Sequence, residues 1–213
     1  MKRTKRIKFI TGLALLLAVE VVLSIISNYM PGTVNFNLAL IPISIGAVLF
    51  GPIGGFILGA ANGIVTLIAP GTQVFVAQNA FATVLLCILK TGLAGLVSGY
   101  VYKAIKIINT NGAIITSGIL VPIVNTSIFI LGVILFFLPL YGEGKQAIGV
   151  LFSSVISINF LIEFLISALL CPAVIQIINV SKRTLGIVDE NNNNVNKETK
   201  QTKYKIKLTV VIK

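Results

Sequence analysis

The sequence predicts an all-α membrane protein, a compact bundle of six transmembrane helices with both termini in the cytoplasm. Hydrophobic residues make up 56% of the 213-residue chain, and charged residues only 11%. A soluble domain carries roughly 25% charged residues, so this chain has too few charges to cover a water-facing surface. Its apolar residues also fall into long runs, and a helix needs about 20 such residues to cross a bilayer.

Short segments rich in Pro, Gly or Asn separate these runs. Six apolar segments remain between these breaks, which are Met30-Pro31-Gly32, Gly51-Pro52, Pro70-Gly71, Asn109-Thr110-Asn111-Gly112 and Tyr141-Gly142-Glu143. The predicted spans are residues 7–29, 35–50, 53–69, 80–102, 113–138 and 148–180. The second and third are short for a bilayer core of ~30 Å, and Gly51-Pro52 is expected to form a tight turn between them.

The distribution of charge predicts the orientation of the bundle. The net charge is +11, but of the 17 basic residues five precede the first apolar run, eight follow the last and only four lie between. A nucleic-acid surface would interleave basic and aromatic residues, so this function is excluded. Because Lys and Arg remain on the cytoplasmic side, both termini and the 103–112 connection are predicted inside. The uncharged connections at Pro31 and Pro70 are predicted outside.

Two domains are expected: a six-helix transmembrane domain over residues 1–180 and a polar tail over residues 181–213. The tail contains four consecutive Asn residues and cannot bury a core, so we predict disorder there and assign it no function. Cys87 and Cys171 lie alone in apolar runs and are read as packing residues. The chain has no His and few acidic residues, so we expect neither a metal, nor a cofactor, nor enzymatic catalysis.

Polar side chains inside the spans are the candidates for function, because ionisable groups in a membrane are costly and by default face the bundle interior. A rise of ~1.5 Å per residue places Lys90 and Asn159 roughly 16 Å below the outer surface, and Glu20 and Asn125 about 10 Å below it. Glu163 is expected deeper, nearer the inner half. Lys90 could contact a substrate or simply pair with Glu163 or Glu20, and the sequence leaves both possibilities open.

Small residues recur at four-residue spacing and allow helices to approach closely. They include Gly55, Gly59 and Gly63, then Gly95 and Gly99, and the pair Ala14 and Ala18. Two further motifs are the run Leu49-Phe50-Gly51-Pro52-Ile53-Gly54-Gly55 and the segment Val124-Asn125-Thr126. Together with the alanine pair, they make residues 7–180 resemble the S components of energy-coupling factor (ECF) transporters. S components are the substrate-binding subunits of bacterial vitamin importers.

The resemblance implies partners and a site. Ala14 and Ala18 would dock the chain onto a transmembrane coupling protein (T component) that joins two ABC ATPases, in the bacterial cytoplasmic membrane. Whether that module is dedicated or shared stays open. A vitamin would bind near the outer face, contacted by Asn35, Asn37, Gln73, Gln78, Asn79, Lys90, Asn125 and Asn159. A Lys on the floor of the site favours a vitamin with a carboxylate, such as pantothenate, and riboflavin is the other candidate.

Two other classes of function remain as alternatives. A stand-alone secondary transporter or channel would use the buried charges as an ion relay and would need no ATPase, but no convincing inverted repeat is visible. A membrane enzyme lacks the residues for acid–base or metal catalysis. The chain has no GxxxxGK[ST] loop and cannot bind ATP in that manner, which suits a binding subunit energised by partners.

Overall fold

A computed structural model describes residues 2–29, 37–138, 149 and 160–185. The described part of the chain is helical, without strands. The helices are α1 (Lys2–Tyr29), α2 (Leu40–Leu67), a 3₁₀ turn (Pro70–Thr72), α3 (Gln73–Gln78), α4 (Ala80–Ile105), α5 (Thr110–Phe136) and α6 (Leu161–Leu185). The chain divides into two units, residues 1–178 and 179–213, and all packing described below lies within the first.

Helix α2 is a hairpin, because the chain reverses direction at Gly51-Pro52. Gly51 has φ 78° and ψ −172°, a conformation essentially confined to glycine. A Cβ at Gly54 would lie 3.3 Å from the carbonyl oxygen of Gly46, whereas eight residues of straight helix would separate them by ~12 Å. Residues 40–50 therefore form a first arm and residues 52–67 a second, antiparallel arm, with the turn where the sequence predicts it.

Backbone-to-backbone packing holds the second arm against α4. A Cβ at Gly63 would lie 2.5 Å from the carbonyl oxygen of Cys87, and a Cβ at Gly59 would meet the carbonyl of Thr91. Gly55 lies in the same way against Gly95. These pairings run antiparallel, and they explain the four-residue spacing of glycine because only residues without a side chain permit so close an approach.

Three elements meet at one end of the bundle, which we name the basic end. The ring of Phe9 in α1 packs edge-on against Phe50 at a centroid distance of 5.3 Å. The turn at Gly51 lies beside the side chain of Lys103, in the last turn of α4. It follows that α1, the second arm of α2 and α5 run away from the basic end, and that the first arm and α4 run toward it.

An apolar cluster closes the opposite end of the bundle, which we name the far end. It consists of Ala82, Leu86, Val133 and Phe137, with Phe75 of α3 packed against it. Further clusters fill the middle and the basic end, the latter with Tyr102, Ile114, Val174 and Ile178. Helices α4, α5 and the hairpin thus form one core, on which α1 packs by a single face.

Among the described residues, four helices are long and apolar enough to cross a membrane: Arg6–Asn28, Leu40–Leu67, Ala80–Ile105 and Thr110–Phe136. The bent pair Glu163–Leu170 and Ala173–Ser181, which meets at 53°, raises the number to five if it forms one span. This count takes the α2 hairpin as one segment, whereas the sequence predicts two spans there.

Candidate functional site

Three buried polar side chains lie one helical turn beyond an apolar layer in the middle of the bundle. The apolar layer contains Leu16, Leu58 and Val121, which belong to one packed cluster. Four residues further along the same three parallel elements come Glu20 on α1, Asn62 on the second arm of α2 and Asn125 on α5. Residues four apart share a helix face, so these three side chains face the same interior of the bundle, within about one helical turn of one another along its axis, and form one group. We name it the central polar layer.

The central polar layer is closed to solvent and rich in unpaired polar atoms. Glu20 and Asn62 are 0% exposed and Asn125 is 6% exposed. Neither carboxyl oxygen of Glu20 has a hydrogen-bond partner in the described part of the chain, nor do the Nδ2 of Asn62 and the Oδ1 of Asn125. An unpaired buried polar group costs about 1–3 kcal/mol. Four such atoms close together reduce stability, and the central polar layer is therefore a candidate functional site.

One hydrogen bond fixes part of this layer. The Ser24 hydroxyl, one turn beyond Glu20 on α1, donates to Oδ1 of Asn62 at 3.1 Å. This contact joins α1 to the second arm of α2 and directs the unpaired amide N–H groups of Asn62 away from the serine. Asn62 thus offers donors, while Asn125 offers a carbonyl acceptor.

A cationic side chain lies next to Phe129, on the same face of α5 as Asn125. Lys90 of α4 places its Nζ 4.9 Å from the ring centroid of Phe129, and Phe129 follows Asn125 by four residues on α5. The ring of Phe75 in α3 also packs edge-on against the ring of Phe129, at a centroid distance of 5.9 Å. The cation–π contact accommodates the Lys90 ammonium in an apolar environment without neutralising its charge.

Neither predicted carboxylate forms an ion pair with Lys90. Within the described residues, no oxygen of Glu20 or Glu163 lies within 4.0 Å of its Nζ, and Glu20 has no polar partner at all. The Glu163 carboxylate is near enough to Lys90 for an electrostatic interaction, but it accepts its hydrogen bond from the backbone N–H of Asn37 at 3.2 Å.

That hydrogen bond corrects the expected depth of Glu163. Glu163 lies in the first turn of α6 and contacts the residue that precedes the first arm of α2, at the end of that arm remote from the turn at Gly51. It therefore belongs to the far-end half of the bundle. The expectation of a deeper position came from counting residues along a span that was predicted to start at Ile148.

Several other predicted site residues have local hydrogen bonds. Asn79 caps α4, since its Oδ1 accepts from the N–H of Ala82 at 3.0 Å. Gln73 is exposed and donates to the carbonyl of Leu67 at 2.8 Å. The side chain of Asn37 accepts from the N–H of Ala39 at 3.1 Å.

The remaining predicted residues are placed as follows. Gln78 is exposed at the end of α3. Asn35 and Asn159 lie outside the described residues. The structure thus brings Lys90 and Asn125 close in depth on adjacent helices, and leaves Gln73, Gln78 and Asn79 at the surface of the far end.

The residues predicted from the sequence to contact a substrate do not include Asn62, Ser24 or Glu20. Asn62 lies between Gly59 and Gly63 in an apolar run, so the rule that drew attention to Asn125 applies to it equally. The glycine pattern drew the interpretation toward packing instead. The hydrogen bond to Ser24 depends on the register of two helices and has no local signal.

A strip of small residues remains exposed on α1. Ala14 and Ala18 both face outward, flanked by Leu15 and Val19, which are 68% and 44% exposed. The opposite face of α1 contains Leu13, Leu16 and Leu17, which pack on the core. The strip is therefore available to a partner helix or to lipid.

Several long apolar helices packed in one bundle define a multi-pass membrane protein. A comparison with family models matches residues 8–175 to the ECF transporter substrate-specific component, and the chain belongs to this family. It is thus the S component of an ECF transporter, a transporter subunit rather than an enzyme. A search of curated proteins found no match.

Proposed function

We propose that the chain is the substrate-binding subunit of an ECF-type ABC importer that takes up a vitamin or a related micronutrient. Separate ATPase subunits energise transport through a T component. The central polar layer carries this proposal, because three almost fully buried polar side chains with unpaired atoms are hard to explain as packing. They are well suited to hydrogen bonding with a small molecule.

The orientation follows from the distribution of charge. We place the basic end, with Lys8 and Lys103, in the cytoplasm together with both termini, as the positive-inside rule requires. The far end then faces the outside of a bacterial cytoplasmic membrane. In this orientation, counting each arm of the α2 hairpin as a span gives the six-helix domain of residues 1–180, followed by the tail 181–213.

The coupling function is assigned to Ala14 and Ala18. Their strip is exposed on α1, and small residues at four-residue spacing allow a second helix to approach closely. Because α1 packs on its own bundle by the opposite face, docking would leave the central polar layer intact. The T component is the proposed partner at this strip.

Pantothenate and riboflavin are the proposed substrates. Lys90 is the side chain that would meet a carboxylate, while Phe75 and Phe129 could stack on a ring. We propose that the site extends from Asn125 and Lys90 toward the far end, where Asn35, Asn37, Gln73, Gln78, Asn79 and Asn159 would contact the substrate.

Purification identifies the substrate directly. The chain is extracted in mild detergent, denatured, and the released small molecules are identified by mass spectrometry. We expect one vitamin in near-stoichiometric amount. The matched control is Glu20→Leu/Asn125→Leu, which should release much less of it. Equal recovery of every vitamin from both proteins would contradict specific binding.

A further inference from the structure

The connection between α4 and α5 at the basic end is a short turn with a well-defined backbone. It comprises residues 106–109. The backbone N–H groups of Lys106 and Ile108 donate to carbonyls in the last turn of α4, at 2.9 Å each. Asn109 then caps α5, because its Oδ1 accepts from the N–H of Gly112 at 3.1 Å. The side chains of this turn are therefore presented from a backbone that local hydrogen bonds hold in place.

Two lysines lie at this turn, beside the hairpin turn of α2. A Cβ at Gly51 would lie 3.4 Å from Cε and 3.6 Å from Nζ of Lys103, so the Lys103 ammonium lies beside the backbone of the hairpin turn. The Nζ of Lys106 lies 6.0 Å from the ring centroid of the buried Tyr102. Both lysines are exposed, and residues three apart share a helix face. Their two ammonium groups are thus available on one side of the basic end.

No carboxylate in the described part of the chain balances these two charges. The acidic residues among the described ones are Glu20 and Glu163. Glu20 lies in the middle of the bundle, and Glu163 belongs to the far-end half, where it accepts a hydrogen bond from Asn37. Arg6 of α1 adds a further exposed positive charge to the basic end. The group that complements this surface is therefore an anion.

Two isoleucines add an apolar surface to the same turn. Ile107 and Ile108 are 73% and 89% exposed, and they follow Lys106 directly. An inorganic anion would contact the lysines and leave both isoleucines in water. A phospholipid would satisfy both kinds of side chain, because its phosphate is anionic and its acyl chains cover apolar groups. Lysines at the ends of transmembrane helices also extend their ammonium groups toward the headgroups.

We infer that Lys103 and Lys106 bind the phosphate headgroup of an anionic phospholipid, whose acyl chains lie beside Ile107 and Ile108. Basic side chains at the cytoplasmic ends of transmembrane helices attract anionic lipids, and charge-assisted hydrogen bonds to phosphate are stronger than those between neutral groups. In the proposed orientation this lipid belongs to the inner leaflet. The inference goes beyond the proposed function, because it concerns the membrane interface and no transported substrate.

Native mass spectrometry of the full chain in detergent measures this binding. The chain is titrated with dioctanoyl phosphatidylglycerol, which is anionic, and with dioctanoyl phosphatidylcholine, which has the same acyl chains and is zwitterionic. One lysine near a membrane surface strengthens the binding of an anionic lipid roughly 5-fold. With two lysines, phosphatidylglycerol should bind roughly 25-fold more tightly than phosphatidylcholine. Equal affinities for the two lipids would overturn the inference.

The double variant Lys103→Gln/Lys106→Gln should lower the affinity for phosphatidylglycerol to about that for phosphatidylcholine, which should be unchanged. Lys106→Gln alone should lower it roughly 5-fold, and it tests the site if the double variant fails to fold. Arg6→Gln is the matched control, because it removes one charge from the same end but not from the turn. It should keep wild-type selectivity. An equal loss in Arg6→Gln would indicate diffuse attraction to the basic end and would contradict a defined site.

The apolar half of the site is tested with Ile107→Ser/Ile108→Ser. This variant should weaken the binding of both lipids by a similar factor, because the two lipids share their acyl chains. Unchanged binding of both would refute the contact with the acyl chains.

Two further outcomes identify a different ligand. Glycerol 3-phosphate, which has the phosphate without acyl chains, should not displace phosphatidylglycerol at equal concentration, and effective displacement would indicate a site for a soluble phosphate. If the lysine variants keep their affinity for phosphatidylglycerol but lose copurification with the T component, the surface binds a protein and the inference is wrong. None of these variants should change vitamin affinity, so a failure of the inference leaves the proposed function intact.

Discussion

The hydroxyl of Thr91 donates a hydrogen bond of 2.5 Å to the carbonyl oxygen of Gly59, and so joins α4 to the second arm of the α2 hairpin. The same hydroxyl oxygen lies 2.9 Å from the carbonyl oxygen of Cys87 in its own helix, so its single proton is shared between the two carbonyls. Gly59 allows this contact because it has no side chain between the two backbones. The hairpin is thus held to α4 by backbone contact, on the element that carries Asn62.

Gly59→Leu should lower the free energy of unfolding by at least about 1–3 kcal/mol, the usual cost of overpacking. A Cβ at this position meets the Thr91 backbone, which cannot move aside without displacing α4. Thermal melts in detergent measure the effect. Gly112→Ala is the control, because a Cβ there would first meet the Asn109 side chain at 3.4 Å; an equal loss in both variants would contradict the packing explanation.

Gly51→Ala tests the turn of the hairpin. The backbone of Gly51 has φ 78° and ψ −172°, and a side chain there costs about 1–3 kcal/mol. We expect a lower melting temperature and poorer recovery of folded protein after purification. A variant with unchanged stability would indicate that α2 does not reverse at this residue.

The orientation of the bundle is tested by fusing green fluorescent protein or alkaline phosphatase after residue 185. Because basic residues cluster at both termini, the junction should be cytoplasmic, with bright fluorescence and no phosphatase activity. A fusion after Gln73, at the far end, should behave in the opposite way. Phosphatase activity at residue 185 would refute a bundle with both termini inside.

Ala14→Trp and Ala18→Trp should abolish copurification with the T component and its ATPases while leaving substrate affinity unchanged. The strip faces away from the bundle, and a bulky side chain on it prevents close approach of a partner helix. Leu15→Trp is the control, because Leu15 is 68% exposed and neighbours the strip without belonging to it. An intact complex with either alanine variant would count against the docking function.

The membrane character of the chain could be predicted from composition, and the Gly51-Pro52 turn from two residues whose backbone preferences forbid a regular helix. The glycine spacing likewise indicated close helix packing, which the structure locates between the α2 hairpin and α4. These features are encoded locally, within a few residues of the positions that they affect.

The site was predicted less completely, because it depends on register between helices. Asn125 could be selected from its position in a span. That Asn62 belongs to the same central polar layer becomes apparent only when the three parallel elements are aligned. Asn79, which is predicted to contact the substrate, also caps α4, because an Asn before a helix accepts a hydrogen bond from the first turn; the prediction of substrate contact does not include this local function. Residue counting also misplaced Glu163, whose contact with Asn37 links positions 126 residues apart.

The central claim is that this S component delivers its substrate only with an ATP-driven partner. The direct measurement is uptake of radiolabelled pantothenate by cells that lack their own pantothenate importer and express the chain with or without the T component and ATPases. We predict uptake only with the complete set, and its loss when the ATPases are inactivated. Concentrative uptake by the chain alone would contradict the account and would identify a secondary transporter.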